Sequence, residues 1–308
     1  MIKKFFFYKI FLISCFNIFI LISIISLKKN VILFVSDDNN KSKIYNNCYS
    51  SFGNSGIKSI HLIITRFLIE FPNSKEFNKN LYNERYIKNG IRVMNKYLIP
   101  SLKNQSCQDF IWVLMIGNKI NITNIQSLFN FNHSFVMKMI FKAEINNFIK
   151  NVTKGFDVLI TTRIDYDDII YYDAVNDVRK EININKPILL YGYNSGLFYL
   201  ESEEKFYEYY EININGTSSI FCSLIVVLKD VNKIYTVYDI GNHRNIRNNL
   251  LDKYKSFGIE KINYEPAIFN SGGPKFIYVR QNFSHNNKNT YKMIKNAKLI
   301  NFNLYHKT

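Results

Sequence analysis

Beyond residue 57 the chain alternates short apolar runs with stretches whose apolar residues recur every three to four positions. Four runs have strand length: SIHLIITRFLI from Ser59, FIWVLMIG from Phe110, FVMKMIF from Phe135 and FDVLITTRI from Phe156. Between the first two, Ile87, Ile91, Met94, Leu98 and Leu102 fall at helical spacing across Glu84 to Leu102. Pro100, near the end of that stretch, predicts a kink or an early stop. Residues 124–129 and 143–148 are short helix candidates between the later strands. Nearly continuous apolar strands alternating with helices predict an α/β architecture with a mostly parallel sheet flanked by helices. No internal repeat interrupts the pattern, so residues 58–308 are expected to form one catalytic-sized domain.

The N-terminal pattern is different. Ile10 to Leu27 reads IFLISCFNIFILISIISL, with no charge and a single amide, Asn17. As a helix it would cover roughly 27 Å, close to the hydrocarbon thickness of a bilayer. Lys3, Lys4 and Lys9 precede it, and Lys28 and Lys29 follow. That excess predicts a cytoplasmic tail over residues 1–9, a transmembrane signal-anchor over 10–27, and a translocated body. The competing reading is a cleaved signal peptide, although no A-x-A-like site follows the run. Residues 28–57, with DDNNKSK and YNNCYSSFGNSG, have the composition of a stem or linker. Sequons at Asn104, Asn121, Asn132, Asn151, Asn215 and Asn282 are permissive of a secretory lumen; so Asn-rich a chain gives several by chance. The expected location is therefore a single-pass membrane protein, its body in the ER or Golgi lumen if the source is eukaryotic.

Charge and cysteines add little specificity. The formal charge of +16 fits lysines spread over a solvated surface, or attraction to an anion such as a diphosphate or an anionic lipid surface. Nucleic acid is the weakest partner, because no run interleaves Arg with aromatics. Cys15 lies in the apolar run, leaving Cys48, Cys107 and Cys222, with no C-x-x-C pair to indicate zinc or redox chemistry. One disulfide among the last three is compatible with an oxidising compartment, and spacing does not select it.

The sharpest local feature is TTRIDYDD, residues 161–168, directly after a strand-like run. Ligands of doubly wound sheets bind at the carboxyl ends of strands. Asp165 and Asp167 have D-x-D spacing with Asp168 adjacent. Carboxylates gathered at a strand end repel unless neutralised, and a hard divalent cation does so. The alternative is that Asp167 or Asp168 caps a helix over IIYYDAVNDVRK. Both readings stay open on spacing alone.

Four ordered segments carry a resemblance to a known family. They are HLIITRF (61–67), YLIPSLKNQSCQDFIWVLMIG (97–117), TTRIDYDDII (161–170), and the pair YDIGNHRNI (238–246) with FIYVRQNFSHNNK (276–288). Together they resemble the family called putative rhamnosyltransferases, glycosyltransferases of the GT-A fold. The resemblance implies that Asp165 and Asp167 bind Mn²⁺ or Mg²⁺ bridging the diphosphate of a nucleotide-sugar donor. Asp168 would be a third ligand or support the other two, and His285 would complete the coordination unless it is a solvated loop residue. Arg66 and Arg163 would contact the donor's phosphate or base, the alternative being that each pairs with a nearby carboxylate. His243 is either acceptor-facing or structural. Tyr191 to Ser195 would stack a sugar or simply form a turn. The acceptor would be a hydroxyl of a glycan or glycoconjugate.

The base that deprotonates the acceptor is not selected; Asp239, Glu265 and His243 are candidates, with Glu201 and Glu203 also in view. Tyr166 departs from the family's usual small or polar residue between the two aspartates, which a side chain pointing away from a metal would tolerate. Two rivals remain: a haloacid-dehalogenase-type phosphatase, whose D-x-D ends the first strand rather than the fourth, and a membrane-tethered carbohydrate-binding protein derived from an inactive glycosyltransferase.

Overall fold

The computed structural model describes residues 56–70, 78, 81–120, 125, 135–193, 195–210, 221–231, 233–239, 246–255, 263–267, 276–280 and 299–300. All of these lie in one compact unit, Ile44–Asn301; the other unit, Met1–Lys43 with Phe302–Thr308, contains no described residue. The expected anchor, its flanks and most of the stem therefore lie outside the described residues. Among the described residues no helix is long and apolar enough to cross a membrane.

The strands are β1 (Ser59–Phe67), β2 (Ile111–Ile116), β3 (Val136–Phe141), β4 (Val158–Arg163), β5 (Ile169–Ile170), β6 (Ile188–Tyr193), β7 (Ser195–Leu200), β8 (Lys205–Tyr210), β9 (Cys222–Val227), β10 (Asn263–Ala267), β11 (Phe276–Arg280) and β12 (Leu299–Ile300). The helices are α1 (Glu84–Lys96), α2 (Leu98–Lys103), α3 (Ile145–Val152), α4 (Ala174–Lys180) and α5 (Ile246–Lys255). The four apolar runs of strand length became β1 to β4. Of the candidate helix at 124–129 only residue 125 is described, whereas 143–148 covers the end of a 3₁₀ turn (Lys142–Glu144) and the first half of α3.

Seven strands form one sheet in the order β10-β6-β9-β4-β1-β2-β3. It is mostly parallel, as its apolar strands predict, except that β9 runs antiparallel to both β4 and β6. Both faces are covered, which is why β4, β6 and β9 are buried at every position. Ile63, Phe67, Trp112, Leu114 and Ile160 meet α1, α2 and α4 on one face. Leu62, Ile64, Val113 and Leu159 meet α3 on the other, where Leu190, Leu224 and Val226 meet α5 further along the sheet.

The helical stretch at 84–102 is two helices rather than one. Asn83 caps α1 by accepting from the Arg85 amide at 2.9 Å, and Glu84 sits in its first turn. The break comes at Tyr97, and Pro100 sits in the first turn of α2, where its missing N–H costs nothing. Gly90 lets α1 seat on β1, since a Cβ there would come within 2.6 Å of the Phe67 ring.

A second sheet, absent from the sequence reading, has the order β12-β8-β7-β11-β5. β7 and β8 form a hairpin, β11 joins β7 in parallel, and β5 closes the edge against β11. The chain passes from β4 in the large sheet to β5 in the small one through residues 164–168. The acidic segment is thus the connector between the two sheets.

A candidate active site at the ends of β1 and β4

Strand order locates the site. From β1 the chain adds β2 and then β3 on one side, and returns with β4 on the other side of β1. The order reverses between β1 and β4, and a crevice opens beyond the carboxyl ends of strands at such a point. Arg66 is the penultimate residue of β1, Arg163 ends β4, and Asp165 and Asp167 follow β4 at once. The parallel register sets Ile64 opposite Arg163, which brings Arg66 and Arg163 to the same sheet face.

The acidic segment is a tight turn, closed by the Asp168 amide donating to the Asp165 carbonyl at 3.2 Å. Tyr166, between the aspartates, points into the protein. Its ring packs edge-on to Phe67 with centroids 5.6 Å apart, and its hydroxyl engages Tyr86. Burial, reinforced by the charge of Asp167, pushes the Tyr166 phenol far above its ordinary value. A large aromatic is therefore accommodated there by pointing away from the aspartates, as expected of a residue that leaves the D-x-D pair clear.

The three aspartates have different surroundings. Asp165 and Asp167 are half-buried, whereas Asp168 is 2% exposed. Asp168 Oδ1 accepts from the Val279 amide at 3.4 Å, which ties the turn to β11. The helix-cap alternative does not hold. The helix that follows begins at Ala174 with Asp173 as its capping position, and β5 intervenes.

Arg66 and Arg163 both pair with a carboxylate, the second of the two readings open for them. Arg163 Nη2 lies 3.4 Å from Asp165 Oδ2, and Arg66 Nη2 lies 3.8 Å from Asp165 Oδ1. Burial is the largest influence and opposes the Arg163 charge, but the Asp165 carboxylate together with Tyr238 and Cys222 outweighs it and raises the guanidinium's pKa. Beneath the pair lies a residue to which the sequence reading gave no role. The Tyr238 ring centroid is 4.8 Å from the Arg66 guanidinium and 5.2 Å from that of Arg163. Its hydroxyl donates to the Ile64 carbonyl at 3.1 Å and to the Ile164 carbonyl at 3.4 Å. Tyr238 thereby bridges β1 and the end of β4 across the reversal point. The only hint in sequence was its place at the head of YDIGNHRNI.

The segment carrying Tyr238 is held by its neighbours. The Val237 amide donates to Thr161 Oγ1 at 3.2 Å, and Asp239 Oδ2 accepts from the Thr236 amide at 2.7 Å and the Thr236 hydroxyl at 2.9 Å. Asp239, a candidate base, shapes this turn. Glu265 lies in β10, opposite Tyr191 at the far edge of the large sheet. Glu201 receives Lys96 at 2.6 Å and Tyr97 at 2.7 Å, and Glu203 receives Lys205 and Tyr207 on the hairpin of the small sheet. His243 and His285 lie outside the described residues. Tyr191 and Tyr193 are buried core residues of β6, with Tyr193 stacked on Phe221, so these two do not offer a sugar platform.

Among the described residues no group of three His, Cys, Asp or Glu is arranged to hold a metal ion. The donor set nonetheless fits a hard divalent cation. Asp165 and Asp167 are partly exposed oxygen ligands on one tight turn, and such cations keep waters and take substrate phosphates as their remaining ligands.

Residues 60–250 match the sequence pattern of the family described as "Putative rhamnosyl transferase". The chain belongs to this rhamnosyl transferase family. The match includes Arg66, Arg163, the acidic turn and Tyr238, and makes the chain a sugar transferase by family. No curated protein matches the chain. Solved structures with a similar chain course include one described as a "putative nucleotide-diphospho-sugar transferase" from Desulfovibrio desulfuricans G20, with 10% identity over 70% of this chain and 83% of that one, TM-score 0.35. Another is the inositol-1-phosphate CTP transferase of T. maritima, with 12% identity over 77% and 96% of the two chains, TM-score 0.35. A third is a manganese complex of a Mycobacterium tuberculosis H37Rv protein, with 7% identity over 78% and 99%, TM-score 0.34. These likenesses are distant, and the family assignment rests on the sequence match.

Proposed function

We propose that this rhamnosyl transferase family member moves a hexose or deoxyhexose, rhamnose being the sugar its family name suggests, from a nucleoside-diphosphate donor to a hydroxyl of a glycan or glycoconjugate. Asp165 and Asp167 would hold Mn²⁺ or Mg²⁺. The chemistry such a cation supplies is Lewis-acid stabilisation of the departing nucleoside diphosphate. Arg66 and Arg163 add two permanent positive charges beside it, suited to diphosphate oxygens. Tyr238 keeps both guanidiniums at the crevice, and the Tyr166 side chain, packed inward, fixes the turn that presents the two carboxylates.

The observation that carries this reading is the D-x-D turn beside two arginines at the reversal point of the sheet. A thermal-shift screen of the purified chain against UDP, GDP and dTDP, with and without Mn²⁺, tests it. Stabilisation by at least one nucleotide only when Mn²⁺ is present is the expected result. Indifference to every nucleotide and metal would instead favour the carbohydrate-binding alternative, and glycan binding would then be measured.

The membrane topology belongs to the same proposal: residues 10–27 anchor the chain and the body is translocated. Cys107 supports this, being fully buried and disulfide-bonded while Cys222 is a free buried thiol; disulfides persist in oxidising compartments. Asn104 and Asn151, both in sequons, are exposed and open to glycosylation. Loss of mass on glycosidase treatment of the membrane fraction is expected, and an unglycosylated, carbonate-extractable chain would contradict it.

A further inference from the structure

Arg163 carries its charge in a nearly sealed place, with a side chain only 5% exposed, and Asp165 Oδ2 faces it at 3.4 Å. Arg66 is looser, 27% exposed, and approaches the other oxygen of the same carboxylate at 3.8 Å. Asp165 is therefore already neutralised before any cation arrives. A cation that took Asp165 alone would leave the Arg163 charge, in a side chain only 5% exposed, without this carboxylate, which is unfavourable for an ion pair broken on one side.

Charge bookkeeping points the same way. Asp165, Asp167 and Asp168 against Arg66 and Arg163 leave one formal negative charge. A divalent cation added alone shifts the group by two positive charges, and a sugar nucleotide's diphosphate dianion added alone shifts it by two negative ones. Added together they restore the starting charge, provided the guanidiniums can turn from the carboxylate to the diphosphate. Tyr238 offers the fixed surface for that movement. Its hydroxyl is tied to the Ile64 and Ile164 carbonyls while its ring touches both guanidiniums.

We propose that Arg66 and Arg163 form an exchangeable clamp on Asp165, releasing the carboxylate to the cation only as they transfer to the donor's diphosphate. The clamp rests on the metal-dependent transferase reading and adds to it a coupling: cation and donor load together, and neither loads well alone. An idle site is thereby kept from filling with cation. Arg163, the buried member, sets most of the coupling, and Arg66, the exposed one, a smaller share.

The test is Mn²⁺ binding followed by electron paramagnetic resonance on the full chain in detergent, alone and with UDP, GDP or dTDP. In the wild type, one nucleotide should tighten Mn²⁺ binding on the order of tenfold, a usual size for coupled sites. Arg163→Met should bind Mn²⁺ alone more tightly than the wild type does, by about threefold or more, and lose most of the nucleotide's effect. Arg66→Gln, at a half-exposed position, should do the same to a lesser degree and serves if Arg163→Met does not fold. Mn²⁺ that binds the wild type equally with and without nucleotide overturns the clamp while leaving the metal site intact. So does an Arg66→Gln variant that binds Mn²⁺ alone no better than the wild type. An absence of Mn²⁺ binding under every condition overturns the metal-dependent reading itself, and the clamp with it.

Discussion

His61, in the middle of β1, is 1% exposed, and its Nε2 lies 2.7 Å from Thr162 Oγ1, which in turn lies 2.6 Å from Ser223 Oγ. This polar row crosses three adjacent strands inside the large sheet. The other ring nitrogen, Nδ1, has no hydrogen-bond partner. A second proton would therefore create a buried, unanswered donor close to the positive Arg179. Burial first, and Arg179 second, lower the His61 pKa from 6.5 to about 3. The folded chain holds a neutral ring where the unfolded chain takes up a proton. The stabilising contribution is complete above pH 6.5 and is lost progressively as pH falls towards 3. Each pH unit below 6.5 should cost about 1.4 kcal/mol, so about 3 kcal/mol is lost near pH 4.5. Urea unfolding of the wild type and of His61→Gln, at steps from pH 7.5 to 4.5, measures this against all other titrations. The difference between the two stabilities should hold constant above pH 6.5 and fall with that slope below it. Parallel curves throughout would refute a neutral, sealed His61.

Other outcomes follow from particular contacts. Tyr238→Phe removes two hydrogen bonds to carbonyls across the reversal point and should cost about 1 kcal/mol of stability; it should raise the donor KM while the far-ultraviolet circular dichroism stays unchanged. Gly117→Ala would drive a Cβ into the Leu68 carbonyl oxygen, backbone that cannot swing aside; chemical denaturation should show a loss of about 2 kcal/mol or more. Trp112→Phe empties part of a fully buried site and leaves the Thr65 hydroxyl without the indole donor at 3.0 Å; a loss of about 2–3 kcal/mol is expected by the same measurement.

Local pattern carried the sequence reading a long way in the first half of the chain. β1 to β4 are continuous apolar runs, and their residues are buried on both faces wherever helices cover the sheet. Asp165 and Asp167 were legible because they end such a run. The edge strand β3 was also legible, although its Val136 and Lys138 are exposed. What pattern could not give was direction and distance. β9 reads CSLIVV, as apolar as its parallel neighbours, so nothing in its composition says that it runs the other way between β4 and β6. The small sheet pairs β5 with β11 across more than a hundred residues, Ile170 lying opposite Phe276. Tyr238 meets Ile64 across 174 residues of chain, and a lone tyrosine at that separation carries no local signal. The arginines were found by residue type, but their shared grip on Asp165 depends on the β1–β4 register.

Release of nucleoside diphosphate from sugar-nucleotide donors tests the central claim most directly, measured in Mn²⁺ and in EDTA for the wild type and for Asp167→Ala. Asp167 is half-buried on the acidic turn, and its removal should leave the fold and the melting temperature of the metal-free chain unchanged. The account expects turnover of at least one donor by the wild type in Mn²⁺, none in EDTA, and none by the folded Asp167→Ala variant. Donor turnover that persists in EDTA, or that survives undiminished in Asp167→Ala, would contradict a metal-dependent transferase built on this turn.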